Sequence, residues 1–398
     1  MRKYLLIIIG TLFVIGLSSA AALFFALGDL RPALLPPSQE SRTGLNVPRG
    51  FEIDVFADNL ANARDLIRGP GGALLVSQPK EGRVVALSDE NGDGKAEQTH
   101  IVVDKLTKPH GLAFRCPETG DYCYLYVAEE HRVAQYRYDT RTHTAVFDTS
   151  LMDLPADGGH TSRSLLTHPD NERLLISVGS SCNVCLEGDE RRAAIIAYNL
   201  QTGTSSLFAT GLRNTVFMET RYVTGDVWGT DMGRDLLGDD LPPDEINILR
   251  EGGNFGWPFC YGKNIHDTDY DQNIYIRAPC TEPFEIPSHL DVPAHSAPLG
   301  IAFIPEEGWP EEWWYDALVA YHGSWNRSEP TGYKVVRIPL DANGNPEGDA
   351  EDFIAGFLPR GEERAQGRPV DLLIEPGGTL YMSDDHAGKV WKLSRTRP

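Results

Sequence analysis

Almost no segment of the 398 residues repeats apolar side chains at helical spacing, which argues against a helical bundle. An excess of positive charge is also missing: 36 Lys and Arg stand against 57 Asp and Glu, a formal charge of −21. Phosphate backbones are held by clustered cations that displace counterions, so the composition argues against nucleic acid and anionic lipid surfaces as partners. No nucleophile elbow, Walker loop, GxGxxG fingerprint or HExxH occurs, which removes most support for serine hydrolase, ATPase, nicotinamide and zincin chemistry. Cysteine is sparse, at six residues. The CxxC at Cys182 and Cys185 is followed by Leu186 rather than His, so no c-type haem is attached there.

Long apolar runs are confined to the start. "MRKYLLIIIGTLFVIGLSSAAALFFALGDL" has Arg2 and Lys3 and then no charge from Tyr4 to Leu27. At ~1.5 Å per residue this run crosses a hydrocarbon core of roughly 30 Å, and the preceding cations hold the start inside. Residues 1–30 are expected to form a signal anchor or signal peptide, with an N-terminal transmembrane or signal helix as the link to the membrane; "GLSSAAA" keeps cleavage open. Either way the body is exported to a periplasmic or other extracytoplasmic location. Residues 31–46 read as a Pro-rich linker and 47–398 as the folded part. In an oxidising compartment the cysteines favour local disulfides; 116/123, 182/185 and 260/280 is the natural pairing, while sequence alone leaves fifteen. Zinc at Cys182 and Cys185 is the rival reading, with no second CxxC or His pair beside it.

Beyond the linker, six segments share one pattern of apolar strand, Gly/Pro/Asp turn and alternating strand. They are "ARDLIRGPGGALLVSQPKEGRVVAL", "PHGLAFRCPETGDYCYLYVAEEHRVAQYRY", "SRSLLTHPDNERLLISVGSS", "GLRNTVFMETRYVTGDVWGTDMG", "LGIAFIPEEGWPEEWWYDALVAYHG" and "GRPVDLLIEPGGTLYMSDDHAGKVWKL". Their starts lie about 45 to 90 residues apart, which suits the blades of an all-β, six-bladed β-propeller with insertions. A β-sandwich pair has the same alternation but does not place polar residues at one phase of every unit. Here His110, His160, Arg213, His295 and Arg368 all precede the first strand of a segment. That shared phase points to one site at the axis.

Several stretches carry candidate chemistry. "DGGHTSRS" sets His160 among small residues, and "GLRNTVF" sets Arg213 beside Asn214, a planar fork of donors next to an amide. In "GTDMGRDLLGDDLPPDEINIL", Asp231, Asp235, Asp239, Asp240, Asp244 and Glu245 offer hard oxygen ligands of the kind calcium takes, or simply a solvated acidic loop. "DENGDGKAE" begins like a calcium loop, with Asp89, Asn91 and Asp93 at alternate positions, but has His100 where the twelfth-position Glu belongs. "YHGSWNR" joins His322, Trp325, Asn326 and Arg327, an aromatic and a cation able to frame a flat ligand or to cover a blade edge.

In this order, "GGHTSR", "VGSSCNVC", "GLRNTVF", "LGDDLPPDEINIL", "GGNFGWPFCYG", "YHGSWNR" and "GRPVDLL" resemble the glucose/sorbosone dehydrogenase family, and its sorbosone dehydrogenase-like branch more than soluble glucose dehydrogenase. The resemblance runs from about Val47 to the C-terminus. It implies an exported six-bladed propeller that oxidises a sugar hydroxyl with pyrroloquinoline quinone (PQQ) and calcium and passes electrons to an external acceptor. His160 matches the catalytic general base and Arg213 the arginine that stabilises the reduced quinone oxygen. Asn214 and Arg368 match cofactor-binding residues, Trp325 and Arg327 are assigned beside them, and the backbone carbonyls of Gly233 and Arg234 are the calcium ligands the resemblance suggests. The chain departs from soluble glucose dehydrogenase in having Val370 where a second arginine belongs and no lysine in "YHGSWNR"; Arg327 is the cation available there. Two other readings stay open: a cofactor-free propeller that binds carbohydrate or a protein partner, and a calcium-dependent lactonase-like hydrolase, which needs carboxylates converging on the axis.

Overall fold

The computed structural model describes residues 38–117, 122–281, 283 and 285–396. The expected N-terminal helix of residues 1–30 lies outside the described residues, among which no helix is long and apolar enough to cross a membrane. Six sheets follow one another along the chain, each built on one of the six repeated segments and antiparallel throughout except where Ser205–Thr210 pairs in parallel with Gly253–Asn254 in the third. Blade 1 holds Leu66–Arg68, Leu74–Gln78, Arg83–Ser88 and Gln98–Val103, and blade 2 runs from Leu112–Arg115 to Thr144–Asp153. Blade 3 starts at Leu165–Thr167, blade 4 at Thr215–Arg221, blade 5 at Pro298–Phe303 and blade 6 at Pro369–Glu375. The six first strands touch in sequence, and that of blade 6 touches that of blade 1. The expected six-bladed propeller is the fold; a single 3₁₀ turn, Glu311–Trp313, is the helical element among the described residues.

The core lies between blades rather than along the axis. In Leu74–Val76 all three side chains are fully buried. Leu75 packs with Leu125 and Val127 of blade 2, while Leu74 and Val76 pack with Tyr381 and Val390 of blade 6. Alternation along a strand sends neighbours to opposite faces, and here both faces are covered. Equivalent clusters join each remaining pair of neighbouring blades. Blade 6 is completed by Phe51–Ala57, paired with Lys389–Arg395, so the two ends of the folded body close the ring. Part of the expected linker also belongs to the fold. Ser38–Glu40 pairs with Asn46–Pro48, and Asn46 bridges Ala355. Leu45 and Val47 are buried in the cluster between blades 5 and 6, and this apolar burial holds the stretch against the body.

Where the first strands begin, buried carboxylates accept backbone N–H groups. Asp371 takes the amide of Leu66 at 2.7 Å and Asp65 that of Leu112 at 3.2 Å. Asp231 accepts from the amides of Arg213 at 3.0 Å and Asn214 at 2.8 Å and from the Thr215 hydroxyl at 2.9 Å. Asp244 takes Ala297 at 2.9 Å, and Asp384 takes Arg368 at 2.9 Å. A buried N–H without an acceptor is costly, so each carboxylate fixes one strand start in place. The same burial pushes Asp231 up to about 6 and both Asp244 and Asp371 up to about 7.

The described residues contain three disulfides, Cys116–Cys123, Cys182–Cys185 and Cys260–Cys280, the natural pairing of the sequence; with their sulfurs joined, Cys182 and Cys185 are not free zinc ligands. Beside Cys260–Cys280, in the blade 4 insertion, Glu285 is 2% exposed and neither carboxyl oxygen has a hydrogen-bond partner among the described residues. Burial pushes its carboxyl up to about 8. The folded state therefore keeps a proton that the unfolded chain releases near the ordinary value, and stability falls as pH rises from there to about 8. Glu285→Gln should remove this dependence, which amounts to up to ~1.4 kcal/mol per pH unit, in urea unfolding from pH 5 to 9. Equal slopes for both proteins would contradict it.

Candidate active site

Four imidazoles and three guanidinium groups gather at the end of the ring where the first strands begin. Their hydrogen bonds fix the tautomers, because a carbonyl or carboxylate only accepts and a guanidinium only donates. His110 Nε2 accepts from Arg64 at 3.4 Å, and its Nδ1 faces Ser164 Oγ. His295 Nε2 donates to the Gly238 carbonyl at 2.8 Å, and its Nδ1 accepts from Asn326 at 3.3 Å. His322 Nε2 donates to Asp385 at 2.9 Å, and its Nδ1 accepts from Arg368 at 3.3 Å. His160 differs. Its Nδ1 donates to Ser180, 3.0 Å from both the carbonyl and Oγ, and its Nε2 has no partner among the described residues.

The sequence explains the exposure of that nitrogen. Gly158 and Gly159 let the chain fold back on the loop after Val178, where the Gly159 amide bonds the Ser181 carbonyl at 2.7 Å. Gly158 has φ 134° and a Cβ there would lie 2.5 Å from Ser181 Cα, so a side chain is excluded. At Gly179 a Cβ would collide with Asn214 Oδ1 and lie 2.7 Å from His160 Cβ, so this glycine lets His160 and Asn214 meet. Burial and the nearby Arg213 charge push His160 down to about 4, leaving it neutral at physiological pH with a free acceptor lone pair.

Arg213 is 4% exposed and braced by Asn183, whose carbonyl and Oδ1 each accept at 2.9 Å, by Asp235 at 3.0 Å and by the Met232 carbonyl at 3.3 Å. Among the described residues Asn214 Oδ1 is buried without a hydrogen-bond partner, and its Nδ2 meets Met232 Sδ at 3.9 Å. Arg368 bonds the Tyr333 hydroxyl at 3.1 Å with its guanidinium 5.0 Å from the ring centre. His160, Arg213 and Asn214 thus come together, while Arg368 reaches the ring mouth from blade 6.

Other expected residues fall elsewhere. Arg327 bonds the Asp239 carbonyl and pairs with Asp240 at 3.0 Å, sharing no bonding partner with Arg368. Trp325 is 72% exposed on the same loop. The Gly233 amide donates to Asp244 at 2.9 Å, Arg234 pairs with Asp267 at 2.9 Å, and neither carbonyl oxygen accepts a hydrogen bond among the described residues. The acidic cluster is not a carboxylate cage. Asp231 and Asp244 hold backbone amides, Glu245 holds the Gly262 amide at 2.6 Å, Asp235 pairs with Arg213, and Asp239 and Asp240 hold the Ser328 amide and Arg327. The lactonase alternative loses its carboxylates in the same way. Asp89, Asp93 and Glu97 do approach within 4.8 Å of one another, on an exposed turn of blade 1.

Sequence reading missed Arg64 and Asp385. Arg64 pairs with Asp385 at 3.0 Å, and Asp385 also takes His322, so one carboxylate links blades 1, 5 and 6. Arg64 stands two residues before its strand, as Arg213 does before Thr215; that phase was the signal. Asp231→Ala should leave the amides of Arg213 and Asn214 unpaired, at about 1–3 kcal/mol each in urea unfolding. A loss within about 0.5 kcal/mol, as for an ordinary surface change, would contradict the role given to Asp231.

Known proteins share this architecture. A PQQ-dependent sugar dehydrogenase of Hypocrea jecorina is 24% identical over 405 residues, covering 87% of this chain and 88% of its own. An iodide structure of a Trichoderma reesei enzyme of carbohydrate-active family AA12 superposes with a TM-score of 0.74 at 22% identity, over 92% of this chain and 99% of that one. The holo PQQ domain of Coprinopsis cinerea pyranose dehydrogenase gives 0.72 at 22% identity, over 91% and 98%. These structural likenesses show the fold. The TrAA12-like family matches residues 45–396, nearly the whole described body, and the chain belongs to it.

Proposed function

We propose that the protein is an exported oxidoreductase that removes two electrons and two protons from the C–H and O–H of a sugar hydroxyl group, using PQQ and calcium. The observation that carries the proposal is His160 Nε2, the one ring nitrogen of the four clustered imidazoles without a partner among the described residues, on a neutral ring anchored through Nδ1. A general base needs this: an acceptor lone pair at working pH and a fixed orientation. Family membership and the sugar dehydrogenase name of the Hypocrea jecorina relative supply the redox class.

The residues present fit the cofactor. Asn214 has a buried, unpartnered oxygen next to His160, Arg213 keeps one guanidinium N–H beyond its four bonds, and Arg368 brings a cation. Asn214 and Arg368 would hold the quinone, Trp325 would border its flat face, and the unbonded carbonyls of Gly233 and Arg234 would ligate calcium. Arg327 contributes through the loop it ties down. When bound, the quinone supplies a two-electron acceptor. The protein's own part is to take the hydroxyl proton at His160 Nε2, to hold positive charge at Arg213 near the acceptor and to fix both groups before substrate arrives. Glycine and backbone contacts hold His160, and Asn183 with Asp235 hold Arg213. The membrane link, the external acceptor and the extracytoplasmic location belong to the same proposal, supported by the apolar start of the sequence and by three disulfides.

The test is titration of the full chain with PQQ, with and without calcium, followed by dye reduction with aldoses. Calcium-dependent quinone binding with sugar-driven reduction is expected. His160→Ala should retain quinone binding and lose about 10²–10⁴-fold in turnover, the usual worth of a general base. Absence of quinone binding with calcium present would contradict the proposal and favour a cofactor-free propeller that binds envelope ligands.

A further inference from the structure

Next to His160 the ring mouth holds a cavity of about 240 Å³, lined by Asn62, Arg64, Lys108, His110, Thr161 and Ser162 among others. Thr161 and Ser162 directly follow His160 in the chain, so one loop carries both the base and part of the cavity wall. Its volume is below the range of about 300–1,000 Å³ seen for drug-sized ligands and suits a single sugar ring. The lining is cationic although the chain carries −21: two cations face the cavity and no carboxylate lines it.

The partners of those cations lie behind them. Arg64 donates to Asp385 at 3.0 Å and to His110 Nε2 at 3.4 Å from two nitrogens, so three of its five N–H groups are used. Lys108 donates once, to Glu130 at 2.9 Å, and is half exposed. Burial and the Arg64 charge hold His110 neutral, and its Nε2 lone pair is taken by Arg64. The cavity therefore presents spare charged N–H donors and two hydroxyls, with no free acceptor of matching strength. A carboxylate is the ligand group such a wall recognises.

We propose that this cavity is a carboxylate subsite, and that the substrate is an anionic sugar, a uronic acid or a related sugar acid, rather than a neutral aldose. The proposal rests on the oxidoreductase reading for its chemistry and on the cavity for its specificity. In a uronic acid the carboxylate is carried on C5, which is joined to the anomeric carbon through the ring oxygen, so one molecule can offer its carboxylate to the cavity and its anomeric hydroxyl to His160 on the same loop as Thr161 and Ser162. The balance is that of the proposed reaction: the anomeric C–H bond breaks, the bound quinone would supply the acceptor for that hydrogen and its electron pair, and His160 Nε2 takes the hydroxyl proton, giving the lactone. The net negative charge opposes this only weakly, because charges beyond about 8 Å are largely screened at physiological ionic strength, and Asp385 and Glu130, which lie closer, are already paired with Arg64 and Lys108.

The experiment compares glucuronate with glucose and galacturonate with galactose, using the full chain loaded with PQQ and calcium. Calorimetric binding of glucuronate without quinone accompanies it. Each acid should have a KM at least about tenfold below its neutral partner's. Arg64→Gln should shrink that ratio by about 10–100-fold, the worth of a charged hydrogen bond. Arg64→Lys should restore part of it, and Lys108→Gln, on a half-exposed side chain that does not threaten folding, should lower it several-fold. Equal handling of acid and neutral sugar in all four proteins would overturn the subsite and leave the oxidoreductase standing. Weaker quinone binding in both Gln variants with an unchanged acid-to-neutral ratio would overturn it as well, since the cavity would then serve the cofactor. Glucuronate binding that depends on Arg64 and Lys108 in a protein that binds no quinone would support the subsite and sink the oxidoreductase reading instead.

Discussion

The ring stands on buried aspartates that accept backbone N–H groups where the first strands begin. Asp371, Asp65, Asp231, Asp244 and Asp384 each hold a backbone amide at or just before a first strand. The bonds of Asp371 and Asp65 cross from one blade to the next, and that of Asp244 reaches the amide of Ala297 just ahead of blade 5, so strand position and blade spacing are set together. Apolar packing between blades supplies the larger share of stability but does not by itself fix strand register. The aspartates do so at the end of the ring where chemistry needs fixed side chains.

The site follows from that constraint. Arg213 and Asn214 are adjacent residues whose two amides share one carboxylate, so their side chains diverge from a fixed base. Arg213 turns into a cage of Asn183 and Asp235, and Asn214 turns towards His160 across Gly179. His160 is held from its other side by Ser180, whose amide bonds the Arg213 carbonyl at 2.8 Å. His160 and Arg213 are thus joined through Ser180, and His160 and Asn214 meet across Gly179. Burial, and then the closeness of Arg213, lower the proton affinity of His160, so the ring stays neutral.

Much of the fold was legible because blades repeat. The strand–turn–strand grammar and the shared phase of His110, His160, Arg213, His295 and Arg368 reported six units and one polar end. The roles of the acidic residues were not legible. Asp231 and Asp244 look like metal ligands in a Gly- and Pro-rich loop, but a carboxylate that accepts two or three amides has the same local sequence as one that holds an ion. Only the position of the distant Ala297 amide separates the two cases for Asp244. Arg64 escaped notice because "ARDLIR" reads as an ordinary strand start. Its partner Asp385 lies 321 residues away, on the other side of the ring closure. Leu45 was assigned to the linker for a related reason: its burial depends on blades 5 and 6, which no local pattern announces.

The most direct measurement of the central claim is an NMR titration of the full chain with ¹⁵N-labelled histidine, assigned with His160→Gln. The account predicts that His160 carries its proton on Nδ1 at neutral pH and takes the second only near pH 4, with Nε2 open to added ligand. A His160 that protonates near the unperturbed ~6.5, or whose neutral form carries the proton on Nε2, would contradict it.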